Sequence, residues 1–182
     1  EDLGLELTLL CDTLDICPRG AFLFAVCEEG SLRERLMQHV REHLEAAGDR
    51  GLTEVELSPD QPDLAGQLEQ QVLYELPVRE ETPALATVAL VHDRPRPPVV
   101  FVHTRGLAGA GMHVVNLPED HPERVRVEQI RRALRALNLQ RERLSRLNVP
   151  LVFWLSQNEI GQVMQHAADV FAARSGLFYF ET

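Results

Sequence analysis

The 182-residue chain contains no lysine. That absence excludes the phosphate loop G-x-x-x-x-G-K-[ST], whose lysine reaches the outer phosphates while backbone amides curl round the anion. Long apolar runs are missing too: none approaches the ~20 residues of a membrane span. The start, Glu1 to Leu10, has no basic residues of the kind that open a signal peptide. These absences lead to the expectation of a cytoplasmic protein with no membrane partner. Cysteine is scarce and odd in number, Cys11, Cys17 and Cys27, which reads as reduced thiols and not as a disulfide framework. No internal repeat or low-complexity segment is present. Positive charge is carried by arginine alone and is outnumbered; a formal net charge of −10 disfavours a nucleic-acid backbone as the general partner.

What is there suits one domain, since a globule of this size buries roughly 70% of its unfolded surface. The chain organises around Ala21 to Val40. Phe22, Phe24 and Val26 lie in an unbroken apolar run that suits a strand buried on both faces of a parallel sheet. The run breaks at Glu28, Glu29 and Gly30, and Ser31 with Glu34 three residues on predicts a capping box opening a helix. Leu32, Leu36, Val40 and Leu44 form that helix's core stripe, and Gly48 stops it. Such a turn brings a helix N-terminus with unpaired N–H groups to the carboxyl edge of the sheet, where open α/β folds bind ligands.

Before this unit, Leu5, Leu9 and Leu10 predict a short N-terminal helix that Cys17-Pro18-Arg19-Gly20 ends, so that residues 1–20 are a helix and turn preceding an α/β body over 21–182. After it come a strand at Thr53 to Leu57 and a helix capped by Ser58 with Pro59 at its first position, carrying Leu64, Leu68, Val72 and Leu76. Residues 83–92 are apolar without a clear period and suit either helix or strand. Val99 to His103 is the next buried strand. The connection from Thr104 to Pro122 exceeds the ~12 to 15 residues usual for structureless loops and is expected to be functional, mobile or partly ordered. Val127, Ile130, Leu134, Leu137, Leu144 and Leu147 predict one long helix ending at Asn148. Leu151 to Leu155 is a fourth strand; Ser156 with Glu159 makes a second capping box, and Leu177 to Phe180 closes the chain. Strands alternating with helices predict a three-layer α/β/α sandwich on a mostly parallel five-stranded sheet.

From about Phe22 to Glu181 this pattern resembles the RecA/AAA-like P-loop domain, and more particularly the degenerate ATPase-like domains of bacterial STAND-type signalling proteins, often followed by tetratricopeptide repeats. ALRALNLQRERLSRLNVPLVFWLS and ADVFAARSGLFYFE carry the resemblance: a Leu-Asn helix, a Pro-Leu-Val strand with a tryptophan, and an Arg-Ser-Gly turn into a closing strand. The resemblance implies a sheet order of 5-1-4-3-2, with Val99 to His103 in the Walker B position. The chain departs from the family at its chemistry. Glu28-Glu29-Gly30-Ser31 stand at the Walker A position, where only Ser31 matches the magnesium-binding hydroxyl, and VVFV is followed by His103-Thr104 where a metal-binding acid belongs. Glu28 and Glu29 repel phosphate: a unit-charge pair at about 4 Å is worth roughly 1 kcal/mol in water and about 4 at an effective dielectric of 20.

Several residues invite a sharper reading, each beside a plainer one. Glu28, Glu29, Gly30 and Ser31 with Arg174 form a nucleotide site under the alternative of a divergent switch or ATPase; such an arginine more often ties a last helical turn. Cys27 and His103 end two strands on one sheet edge, the placement of a cysteine hydrolase dyad, but a small buried thiol and a loop histidine are the favoured reading, since the two glutamates oppose a thiolate. His39 and His43 have metal-ligand spacing without an evident third ligand. Gly106, Gly109 and Gly111 suit an anion nest or a flexible loop. Asn138 and the Trp154 indole suit buried hydrogen bonds. Arg131, Arg132, Arg135, Arg141 and Arg143 crowd one predicted helix, as a docking face for an acidic partner or as a solvated face. The reading these favour is a module without enzymatic activity or cofactor, recognising a protein partner or neighbouring domains, with oligomerisation open. The end at Glu181-Thr182, just after a strand, suggests a piece of a longer chain.

Overall fold

The computed structural model describes residues 2–17, 20–48, 50–75, 96–104, 107 and 116–181. The expectations for residues 83–92, for Leu76 and for the glycines at 106, 109 and 111 lie outside them. In chain order the elements are α1 (Asp2–Ile16), β1 (Ala21–Cys27), α2 (Gly30–Ala47), β2 (Leu52–Glu56), α3 (Leu64–Glu75), β3 (Val99–His103), α4 (Pro122–Leu139), α5 (Arg141–Arg146), β4 (Pro150–Leu155), α6 (Gln157–His166), α7 (Ala168–Ala172) and β5 (Gly176–Phe180).

All pairings in the sheet are parallel, and its order β2-β3-β4-β1-β5 is the expected 5-1-4-3-2. Every residue of the interior strands β1 and β4 is buried, as their unbroken apolar runs require, while the edge strands β2 and β5 keep partly exposed positions. Alternate residues feed two cores. Phe22, Phe24, Phe153 and Leu155 face α3, α4, α6 and α7, with Phe24 and Phe153 stacked at 5.1 Å. Leu23, Ala25, Phe101 and Trp154 face α1 and α2.

The N-terminal helix forms, but its buried stripe is Leu10, Cys11 and Leu14; Leu5 and Leu9 face outward. Its last carbonyls are held by Arg50, which donates to Leu14 O and Cys17 O, and by Arg96 to Asp15 O at 3.0 Å, so α1 is tied to the sheet layer. Strand β2 begins one residue earlier than expected, and Leu57 extends its ladder by donating to His103 O at 2.8 Å. Ser58 caps no helix. It closes a turn onto Gln61, and Asp63 accepts from Gly66 N at 3.0 Å to begin α3.

The long helix expected from Glu123 is broken at Gln140. Its side chain is buried, accepting from Ala65 N at 2.8 Å and donating to Pro62 O at 2.7 Å, so the break lets a glutamine satisfy a free amide in the first turn of α3. Asn138 serves α7 in the same way: its Oδ1 accepts from Asp169 N at 2.8 Å and Val170 N at 3.3 Å, and its Nδ2 donates to Asp169 Oδ2 at 2.9 Å. The Trp154 expectation fails. Its ring is fully buried between Phe101 and Phe180, and Nε1 has no partner among the described residues.

Asn138→Ala is expected to lower the unfolding free energy in a urea titration by about 1 to 2 kcal/mol, the value of a lost cap. Arg141→Ala, removing one member of an exposed pair with Glu142, should change it by less than about 1 kcal/mol.

Candidate functional site

The carboxyl edge of β1 is where the ligand corner of this architecture lies, and two helix N-termini converge on it. Helix α2 starts earlier than the sequence pattern implies. Glu29 is its N-cap residue, Arg33 N donates to Glu29 O at 2.9 Å, and Gly30 is already helical. The capping box of Ser31 and Glu34 does not form, because the N-cap is Glu29 and the Ser31 hydroxyl donates a hydrogen bond to the Glu29 carboxylate. On the other side Glu28 accepts from Gln157 N, the first amide of α6. The next part of that helix start is closed by the expected capping box: Ser156 N donates to the Glu159 carboxylate at 2.7 Å, and Glu159 N to Ser156 Oγ at 3.3 Å. Glu159 is itself buried, beside the Thr104 hydroxyl at 3.2 Å.

At the start of α6 the amides that an anionic ligand would need are therefore met by the chain's own carboxylates, whereas the Glu29 side chain makes no capping hydrogen bond at the start of α2. Between the helix starts opens a cleft of about 290 Å³ with Val26, Leu32, Tyr179 and Phe180 on its walls and Glu28, Glu29, Gln157 and Glu181 around them. Its three carboxylates make it a poor seat for phosphate. The role of Gln157 was not singled out from the sequence, since no pattern joins it to Glu28, which lies on another strand's exit.

Arg174 does not join this corner. It precedes β5, whose five residues run from Gly176 beside Leu23 to Phe180 beside Cys27, so it stands at the amino edge of the sheet, roughly 13 Å away along the strand at ~3.3 Å per residue. There it lies over the Phe171 ring at 4.2 Å and donates to Phe171 O at 3.1 Å.

The cysteine–histidine dyad is also absent. Strand β4 separates β1 from β3, and Trp154, which pairs with Ala25 on one side and His103 on the other, lies between the two residues. Cys27 is buried and donates to Glu29 O at 3.5 Å; burial, reinforced by Glu29 and Glu28, pushes its thiol above the ordinary value despite the backbone contact at Glu29 and the nearby Arg33. His103 instead binds Glu54 through Nε2 at 2.7 Å, and Glu54 receives Arg41 at 2.8 and 3.0 Å. Burial pushes the Glu54 carboxyl up, but the hydrogen bonds and charges of Arg41 and His103 outweigh it and hold the group below its ordinary value. His43 is likewise occupied, facing Asp15 at 3.0 Å, while His39 is exposed; no cluster of three metal-ligating side chains occurs among the described residues.

The arginines do not form one continuous face. Arg143 turns to α3, pairing with Glu69 at 2.8 Å and Asp63 at 3.1 Å; Arg141 pairs with Glu142, and Arg131 with Glu128 at 2.9 Å. Arg132 and Arg135 point outward and pair with no acid among the described residues. Burial lowers the pKa of His166 on α6, and the charges of Arg131 and Arg135 add to the effect against a smaller opposing one from Glu128.

No protein-family model matches the chain, and no curated protein matches it. Among solved structures it is similar to the Orc1 protein of Aeropyrum pernix, determined in complex with DNA, at 12% sequence identity and a TM-score of 0.42; the match covers 98% of this chain and 44% of that one. The chain thus spans less than half the length of that protein. A likeness at this level is no ground for assigning an activity or a partner. No helix among the described residues is long and apolar enough to cross a membrane.

With the native protein at neutral pH, iodoacetamide should label Cys17, which is part-exposed, and spare Cys27 and Cys11, the latter pushed up to about 11 by burial and then by Asp15 and Asp12. Rapid, selective labelling of Cys27 would contradict the burial and raised pKa of its thiol. Acid should destabilise the fold in two stages. His166 binds its proton less readily when folded than its ordinary value of 6.5, so the unfolded state takes up more protons and stability falls as pH drops below that value. Glu54 adds a second loss as pH falls through its lowered folded pKa. Denaturation midpoints for His166→Gln should lack the upper stage and keep the lower.

Proposed function

We propose that this chain is a non-catalytic recognition or signalling module on a degenerate P-loop ATPase scaffold, acting by protein–protein interaction within a larger bacterial protein. The strand order together with the Leu-Asn helix, Pro-Leu-Val strand and Arg-Ser-Gly turn supports the scaffold. The observation that carries the loss of chemistry is the placing of Glu28 on the first amide of α6 and of Glu29 at the cap of α2. A triphosphate entering this corner would displace one carboxylate and face the other. It would find no lysine in the chain, and at the end of β3 a histidine committed to Glu54 in place of a metal-binding acid. With chemistry gone, surfaces remain, and the outward arginines of α4, Arg132 and Arg135, are the first candidates for contact with an acidic protein partner. The overall charge of −10 favours protein over nucleic acid there.

Calorimetry and thermal unfolding with ATP or GTP and magnesium test this reading. No heat and no shift in the unfolding midpoint are expected. A ligand present at about a hundred times its Kd would stabilise the fold by about 2.7 kcal/mol, and a stabilisation of that order, lost in Ser31→Ala, would establish the divergent nucleotide switch instead.

A further inference from the structure

Helices α1 and α4 cover opposite faces of the sheet, α1 through Leu10 and Leu14 and α4 through Ile130, Leu134 and Leu137. Each carries a second stripe on its outer side. On α1, opposite the buried leucines, Leu5, Leu9, Asp12 and Ile16 recur at steps of four, three and four, and the three apolar members are 59%, 43% and 77% exposed. On α4, Val125, Glu128, Arg132, Arg135 and Leu139 recur at steps of three, four, three and four, with Val125 41% and Leu139 85% exposed. This is the spacing by which one helix meets another along a seam.

The two stripes complement each other in charge. Helix α1 carries four acids and no basic residue, whereas α4 carries five arginines against two glutamates. Laid antiparallel, they share one register: Leu5 meets Leu139, Leu9 lies along the aliphatic stem of Arg135, Asp12 meets Arg132, and Ile16 falls beside Glu128 and Val125. A parallel arrangement also brings Asp12 to Arg132 but leaves Leu139, the most exposed apolar side chain of the two helices, uncovered. Neither stripe can reach the other within one molecule, because the sheet lies between them.

We propose that α1 of one copy packs antiparallel on the outer face of α4 of a second copy. The contact joins two different surfaces, so it is heterologous and builds a ring or an open chain, never a symmetric pair. It extends the interaction-module reading by naming a partner for Arg132 and Arg135, and the two fail separately: nucleotide binding would leave it standing, and a monomeric chain would leave the loss of nucleotide chemistry standing.

Sedimentation equilibrium on the native chain from about 10 µM to about 1 mM, the range of transient interfaces, should give an average mass that rises with concentration. Leu9→Glu and Leu139→Glu, both at exposed positions, should each be monomeric with an unchanged circular dichroism spectrum. Mixed in equal amounts they should form a dimer and nothing larger, since each variant keeps one intact face. Asp12→Arg should weaken association at least about tenfold by setting like charges together, and adding Arg132→Asp to the same chain should restore it. A monomer mass at every concentration overturns the proposal, as does self-association of Leu139→Glu equal to that of the native chain, a mixture that stays monomeric, or failure of the double charge reversal to restore assembly.

Discussion

A parallel sheet covered on both faces sends its helices back so that their N-termini gather at one edge, each with N–H groups that have no backbone acceptor within the same helix. Something electronegative has to meet them. At the start of α6 the groups that do so are carboxylates of the chain itself, Glu28 on the first amide and Glu159 on the cap, while Glu29 stands at the cap of α2 with no side-chain hydrogen bond to its amides. The arrangement joins elements distant in sequence, the exit of β1 with the exit of β4, and so helps hold the two central strands in register.

The same contacts explain why the corner differs in character from a phosphate site. A phosphate loop keeps its amides free until the ligand arrives, and its lysine lowers the charge that the ligand brings. Here Glu28 takes the first amide of α6 and the surrounding cleft is acidic, with Glu28, Glu29 and Glu181 beside Tyr179 and Phe180. Polar side chains elsewhere in the fold do similar work on helix ends. Gln140 caps α3 from a break in a helix, Asn138 caps α7, and Arg50 gathers the last carbonyls of α1. These polar side chains are thus spent on backbone termini, and among the described residues the outer faces of α1 and α4 carry exposed apolar and charged groups at helical spacing.

The central strands were legible in the sequence because a strand buried on both faces reads as an unbroken apolar run, as AFLFAVC and PLVFWL do. The Ser156 capping box was legible for the same local reason, its partners lying three residues apart. Ser31 carried an equally good local signal and misled, since the competing acceptor, Glu29, stands two residues before it and accepts the hydroxyl's hydrogen bond. Leu5 and Leu9 misled in another way: α1 is apolar on more than one side, and periodicity alone does not say which side meets the sheet. The arginines of residues 131–143 looked like one face because they were laid on one straight helix, and a single buried glutamine divided them.

By itself the sequence determined what depends on neighbours along the chain and on composition: alternating strands and helices, a five-stranded parallel sheet, the missing lysine, and a histidine where an acid would hold metal. Tertiary structure alone decided which polar group meets which. Glu28 finds Gln157, Gln140 finds Ala65, Glu54 draws away His103, and Trp154 stands between His103 and Cys27. The reason is physical: hydrogen bonds and ion pairs act over a few ångströms in space, and separation along the chain carries almost no record of which atoms folding will bring within that reach.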